Sequence, residues 1–326
     1  MKKPAYCTLF DRGYLPQGLA LQRSLERHAP GHRLWVLALD RPTAELLETL
    51  SLPGLRVLLL DDIETPQLRS AKNNRSWGEY CWTLTPFLPE LVLQHDLDAD
   101  CAIYIDADCW LWGPAEQLLQ RFYRSDAACM ITPHAYSPRQ NHATGAGIYC
   151  VQFLPFRRSA AALEILHWWQ ARCLERCSAD LGDGPLGDQG YLDDWPDRFG
   201  DQVYVLNQPS LTLAPWNIES LWQEALESPC LYHFQGFRLF RLARWLVVKA
   251  SAGVPLPTAM GHCLIQPYLA DLLAAVSLCP AGSLPRRPLL SLWRDGRGLL
   301  LLLPRLLWFH WWIQLQPLPP ALDRQR

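Results

Sequence analysis

Residues 103–108 read Ile-Tyr-Ile-Asp-Ala-Asp, an apolar run ending in two carboxylates one residue apart. A buried β-strand that stops at Asp106-Ala107-Asp108 delivers charge to its C-terminal end, the edge at which open α/β sheets bind ligands. Two hard oxygen donors suit Mg²⁺ or Mn²⁺, ions that commonly join a protein to a phosphate. A divalent cation on a diphosphate is a Lewis acid that neutralises charge on a departing nucleotide. Asp106 and Asp108 are therefore expected to hold a metal, Asp108 more directly. The alternative is a pair that caps the turn leading from Trp110 to Pro114.

Such a strand needs neighbours, and the first half of the chain alternates in the βαβ manner. Strands are expected at Ala5–Phe10, Arg33–Leu39, Val57–Leu60, Cys101–Ile105 and Ala127–Thr132. Between them, Pro16–His28, Thr43–Leu50, Glu79–Leu93 and Ala115–Tyr123 carry helical spacing, with Pro86 and Pro89 interrupting the third. Further on, Gly145–Phe153 reads as a strand, Arg158–Cys177 as a helix, Gly182–Gly190 as a loop entering a helix at Gln189, and Val203–Leu206 as a strand. Beyond His233 the pattern becomes helical.

At 326 residues and 49% hydrophobic content the chain can build a large core. The net charge of −2 gives no reason to expect nucleic acid. It conceals a split: residues 286–326 carry seven Arg and two Asp, +5, against −7 for the remainder. This basic stretch also holds Trp308, Phe309, Trp311 and Trp312, and its uninterrupted apolar run, Leu299–Leu303, is too short to span a bilayer. A helix over Leu299–Leu315 lying in an anionic membrane interface is expected; a helix packed on the body is the alternative. The 11 cysteines show no small-scaffold pattern and read as reduced core residues. The start lacks the apolar core of a signal peptide, so a cytoplasmic location is expected, peripheral on the inner face of the membrane if the tail binds lipid.

Several further segments fall in a familiar order. Tyr6–Phe10 is followed by Asp11, Tyr14, Leu15 and Ser24-Leu25; Glu79–Leu93 contains Trp82, Thr85 and Pro86; then come Tyr104–Asp108, Gly145-Ala146-Gly147-Ile148, Asp188-Gln189 and His233-Phe234-Gln235-Gly236. In this series the chain resembles the GT-A fold nucleotide-sugar glycosyltransferases, in particular family 8 and its bacterial relatives. The resemblance runs over roughly residues 5–240 and implies an α/β, Rossmann-like domain at 1–240 with a helical, Trp/Arg-rich extension at 241–326. It implies transfer of a sugar from a nucleotide-diphospho-sugar, a UDP-sugar by preference, to a glycan or glycolipid hydroxyl.

The resemblance also implies roles. His233 is the third metal ligand, and an imidazole favours Mn²⁺ over Mg²⁺; a structural histidine at a strand end is the other reading. Asp188 and Gln189 serve the donor sugar and the reaction centre, against a solvated polar loop. Thr8, Phe10 and Asp11 lie where the first strand meets base and ribose. Tyr14 either stacks on the base or fills core, and Lys72, with Arg75, either meets the diphosphate or is a solvated cation. Asp106 and Ala107 border the nucleotide, and Gly236 admits a phosphate to the backbone. There are departures. Gly145 stands where the family has Asn, with Asn141 or Thr144 as substitutes, and Phe237-Arg238-Leu239 replaces Lys-Pro-Trp, making Arg238 the expected phosphate partner.

Two rivals use the same residues differently. Aspartyl-phosphate phosphatases also place Asp-x-Asp after a strand, but need Thr or Val where Trp110 stands, and a downstream Lys that is absent between Asp108 and Lys249. A glycan- or membrane-binding protein on a decayed transferase fold would tolerate the Trp content but has no use for Asp106, Asp108, Asp188 and His233 together.

Overall fold

The computed structural model describes residues 3–140, 143–180, 182, 184–242, 245–251, 260–280 and 311–317. Its centre is an eight-stranded sheet. Strands β1 (Pro4–Phe10), β2 (Leu34–Ala38), β3 (Leu55–Leu59) and β4 (Cys101–Ile105) are parallel and ordered β3-β2-β1-β4. The short β5 (Cys109–Leu111) leaves this sheet. Beyond β4 come β6 (Cys129–Pro133), β7 (Tyr149–Cys150), β8 (Phe153–Arg157) and β9 (Val203–Val205), with β8 antiparallel between β4 and β6.

The sheet is buried on both faces, so its strands read as continuous apolar runs rather than alternating ones. From β1, Ala5 and Cys7 enter a core with Tyr80, Leu84, Leu88 and Trp169. Tyr6 and Phe10 enter the opposite core with Leu15, Leu19 and Leu25 of the first helix, Leu15–His28. The chain builds outward from β1 to β3, then returns to lay β4 on the other side of β1. That reversal opens a crevice beyond the C-terminal ends of β1 and β4, where Asp11 and Asp106 stand.

Some expected elements changed. Glu79–Leu93 is two helices, Trp77–Leu84 and Leu88–His95, joined by a 3-10 turn at Thr85–Phe87; proline removes a helical N–H and crowds the preceding turn. Gly145–Phe153 is not one strand: a helical turn covers Ala143–Ala146, Gly147 takes φ +87°, and only then do β7 and β8 form. The Ile148 and Tyr149 amides donate to Asp193 Oδ1 (2.7 and 3.3 Å), which diverts the backbone from a ladder.

A second sheet joins β10 (Thr212–Leu213), β11 (Leu231–His233) and β5, with β11 antiparallel to β5. The C-terminal region mixes helix with strand. The helix Gln266–Leu278 is present, but β12 (Arg238–Leu242), β13 (Trp245–Ser251) and β14 (Trp311–Pro317) form a three-stranded antiparallel sheet. The runs Leu246-Val-Val and Trp312-Ile carry β-branched and aromatic residues that favour a pleated surface over a helix. The expected interfacial helix at Leu299–Leu315 lies outside the described residues up to 310, and from Trp311 the chain is strand. No helix among the described residues is long and apolar enough to cross a membrane. Nine cysteines are buried and all eleven are unpaired, in keeping with core thiols.

Candidate active site

β4 ends at Ile105, and the backbone turns at once, the Cys109 amide donating to the Asp106 carbonyl (3.0 Å). This tight turn projects Asp106 and Asp108 into the crevice before the chain departs as β5. Antiparallel pairing then brings His233 opposite Cys109, and the Phe234 amide donates to the Asp108 carbonyl (2.8 Å). Register across more than 120 residues thereby sets the imidazole beside the carboxylates. His233 Nε2 lies 3.1 Å from Asp108 Oδ1 and 3.7 Å from Asp106 Oδ2. One donor atom from each of the three residues lies within 4.8 Å of the others.

The supporting bonds fit a cation. Gln152 Oε1 stands 3.1 Å from His233 Nδ1 and accepts its proton, which leaves Nε2 turned to the carboxylates. The Tyr104 hydroxyl donates to Asp106 Oδ1 (2.9 Å), leaving Oδ2 for the site. Burial pushes the imidazole down, but Asp108 first, then Cys150 and Asp106, outweigh it and hold His233 well above its ordinary range. Asp106 is raised by burial and by Asp108, with His233 opposing. Negative charge is thus concentrated around a nitrogen that takes either a proton or a metal.

Asp188 lies further along the same cleft. It is 3% exposed, its carbonyl accepts the Trp169 indole N–H (2.9 Å), and its Oδ2 is buried without a partner. Burial, reinforced by Asp106 and opposed by Thr85, pushes its carboxyl up to about 7. Gly187 precedes it at φ +54°, where a Cβ would press on the Trp82 ring at 3.0 Å. Only glycine adopts this backbone and admits the ring without strain. The Gln189 amide is bound to the Ala146 carbonyl (2.9 Å).

The cleft has a volume of about 860 Å³, and Phe10, Asp11, Tyr14, Ala107 and Gly236 line it with the residues above. The Asp11 carboxylate is fixed by the Gly13 amide and the Trp77 indole N–H, both at 2.8 Å. Gly236 takes φ +80° in a turn closed by the Phe237 amide on the Phe234 carbonyl (2.9 Å). Tyr14 is exposed at the mouth rather than packed in the core.

Other expected residues lie elsewhere. Thr8 is fully buried and does not reach the cleft; it sits two residues short of the strand end, on the side of Tyr6 and Phe10. Lys72 stands one layer back, paired to Glu64 (2.9 Å) and over the Trp77 and Tyr80 rings. Arg75 is committed to Thr83 and to the Cys173 and Leu174 carbonyls, a structural strut. Arg238 begins β12, and its side chain, with Asn141 and the Thr144 side chain, lies outside the described residues.

The sequence reading missed one wall. His134, Tyr136 and Trp216 line the cleft. The His134 and Tyr136 rings stack at 4.7 Å and 12°, and Trp216 meets His134 and His233 edge-on at 5.1 and 5.4 Å. Burial pushes His134 down to about 4, so it is neutral at pH 7. The signal was there: His134 follows β6 as Asp106 follows β4, at the same edge of the sheet.

No family model matches the chain. It is 28% identical over 269 residues to the uncharacterized protein YfnF of Bacillus subtilis, covering 78% of this chain and 88% of that one. To YfnD of the same organism it is 28% identical over 284 residues, 82% and 88% of the respective chains. Similar solved structures include mouse xyloside xylosyltransferase 1 (14% identity, 72% of this chain, 98% of that chain, TM-score 0.45). Another is the galactosyltransferase LgtC with donor and acceptor sugar analogues (15%, 71%, 87%, 0.44). A third is the glycosyltransferase GlyE of Streptococcus pneumoniae (14%, 72%, 54%, 0.45).

Proposed function

We propose that this protein is a metal-dependent glycosyltransferase of the GT-A type, moving a sugar from a nucleotide-diphospho-sugar to an acceptor hydroxyl. One observation carries the reading: Asp106, Asp108 and His233, from two distant stretches of chain, converge within 4.8 Å at the sheet edge where α/β folds bind nucleotides. These three residues would hold the cation. When bound, it would supply positive charge to the leaving diphosphate. Mn²⁺ suits a mixed oxygen and imidazole donor set better than Mg²⁺, and a UDP-sugar is the preferred donor.

The rest of the cleft supports the reading. Asp11, held by Gly13 and Trp77, presents a fixed carboxylate to base or ribose beside Tyr14. Gly236 leaves backbone open to a phosphate. Asp188 and Gln189, which line the same cleft, are the residues assigned to the donor sugar, and Asp188 is poised between its acid and anion near pH 7. A glycan or glycolipid acceptor, brought to an anionic membrane by the basic residues 286–326, is consistent with the tail's composition.

Thermal shift with Mn²⁺ and UDP together tests this. The wild type should be stabilised by the pair more than by either alone, and Asp108→Ala should remove that gain and the turnover while remaining folded. Full activity in Asp108→Ala would end the metal assignment. Sugar binding without any metal-dependent nucleotide stabilisation would instead favour a glycan-binding protein.

A further inference from the structure

We propose that Asp271 and Tyr268, on the helix Gln266–Leu278, are positioning residues for the Asp108–His233 pair. This rests on the metal reading above. The helix contributes no residue to the cleft wall, yet it grips Trp110, two residues beyond Asp108, and Phe234, which follows His233. Asp271, 5% exposed, accepts the Trp110 indole N–H (2.8 Å), and Trp110 lies two residues beyond Asp108 on β5. The same carboxylate accepts Arg23 Nε (3.0 Å) and both terminal nitrogens of Arg27, from the first helix. Tyr268 stacks on Phe234 at 3.6 Å and 11°, and Phe234 follows His233. Tyr268 also meets Trp110 and Phe237 edge-on, at 6.0 and 5.2 Å.

Both grips reach one small unit. The Phe234 amide donates to the Asp108 carbonyl, and Tyr232 pairs with Trp110. A shift of Phe234 or Trp110 therefore changes the spacing of His233 Nε2 and Asp108 Oδ1. Loss of outer supports of this kind costs metal sites about 10–100-fold in affinity. A buried carboxylate that organises four donor nitrogens from three side chains is also costly to disturb, because its partners are left unpaired. The Tyr268 hydroxyl is buried without a partner, so its ring, and not its oxygen, does the positioning.

The test is Mn²⁺ alone, titrated calorimetrically into the full chain, with melting temperature read in parallel. Tyr268→Phe should bind Mn²⁺ as the wild type does. Tyr268→Leu and Asp271→Asn should bind about tenfold or more weakly. Val276→Ala, buried on the same helix, should lower the melting temperature and leave Mn²⁺ affinity unchanged. If Asp271→Asn does not fold, Arg27→Gln, whose side chain is 42% exposed, takes its place with the same expected direction. Unchanged affinity in Tyr268→Leu and Asp271→Asn, or an equal loss in Val276→Ala, overturns the positioning role. A wild type that binds Mn²⁺ no better than Asp108→Ala overturns the metal reading itself, and the positioning role falls with it.

Discussion

Asp188 stores free energy that can be measured apart from activity. Its carboxyl is pushed from an ordinary 3.8 to about 7, chiefly by burial. One unit is worth about 1.4 kcal/mol, so ionising this group costs the folded state on the order of 4 kcal/mol. The sign follows from proton counting. Between pH 3.8 and about 7 the folded protein holds a proton that the unfolded chain has lost, so stability falls as pH rises through this window and levels off above it. Asp188→Asn removes the titration while keeping the shape. Urea unfolding of both proteins, with chelator present, should show the variant gaining about 1.4 kcal/mol per pH unit over the wild type from pH 4.5 to 7, with no further gain to pH 8. Turnover should be lost over the same range. A stability difference independent of pH would refute the claim that Asp188 is held in a desolvated, partly protonated state.

Glu79 gives the opposite sign. The Ala179 amide, then Ser76, hold its carboxyl down to about 2, tying the cap of the helix Trp77–Leu84 to the loop that leads to Asp188. Its stabilising effect is complete above 4.5 and disappears as pH falls towards 2. The stability gap between wild type and Glu79→Gln should therefore narrow below pH 4.5, and amides near 178–187 should exchange faster in the variant at pH 7; a gap that widens in acid would contradict this. For the tail, deletion of residues 286–326 should release the protein from vesicles containing phosphatidylserine in a flotation assay, and retention by the truncated chain would remove the membrane from the proposal.

The strands were legible because burial on both faces forces a composition that few other elements share. Cys101–Ile105 could be read to its last residue, since the switch from Ile to Asp marks where the sheet stops being dry. Gly145–Phe153 failed for a local reason: Asp193, over forty residues away, captures the Ile148 and Tyr149 amides. β14 failed because its partner is remote in sequence, Trp311 pairing with Ser251 sixty residues earlier; β12 and β13 pair locally, and their apolar runs were read as helix. Strand preference depends on such partners far more than helix preference does.

The site divides along the same physical line. A carboxylate at a strand end stands out because charge is costly to bury and is rarely placed beside a core without a task. An aromatic ring in that position does not stand out, since the same ring serves equally well as core. Tyr6 and Tyr136 are indistinguishable by type, yet one is enclosed between sheet and helix and the other lines the cleft. His233 belongs between these cases. No spacing rule connects it to Asp108; the resemblance named it, and the physical cause is the register of β11 on β5. That register is held in turn by Tyr268 and Asp271, on a helix the sequence does not connect to the site. A functional residue is therefore legible in this chain to the extent that its type would be costly without its function, and the residues that merely aim it become visible only when the packing is known.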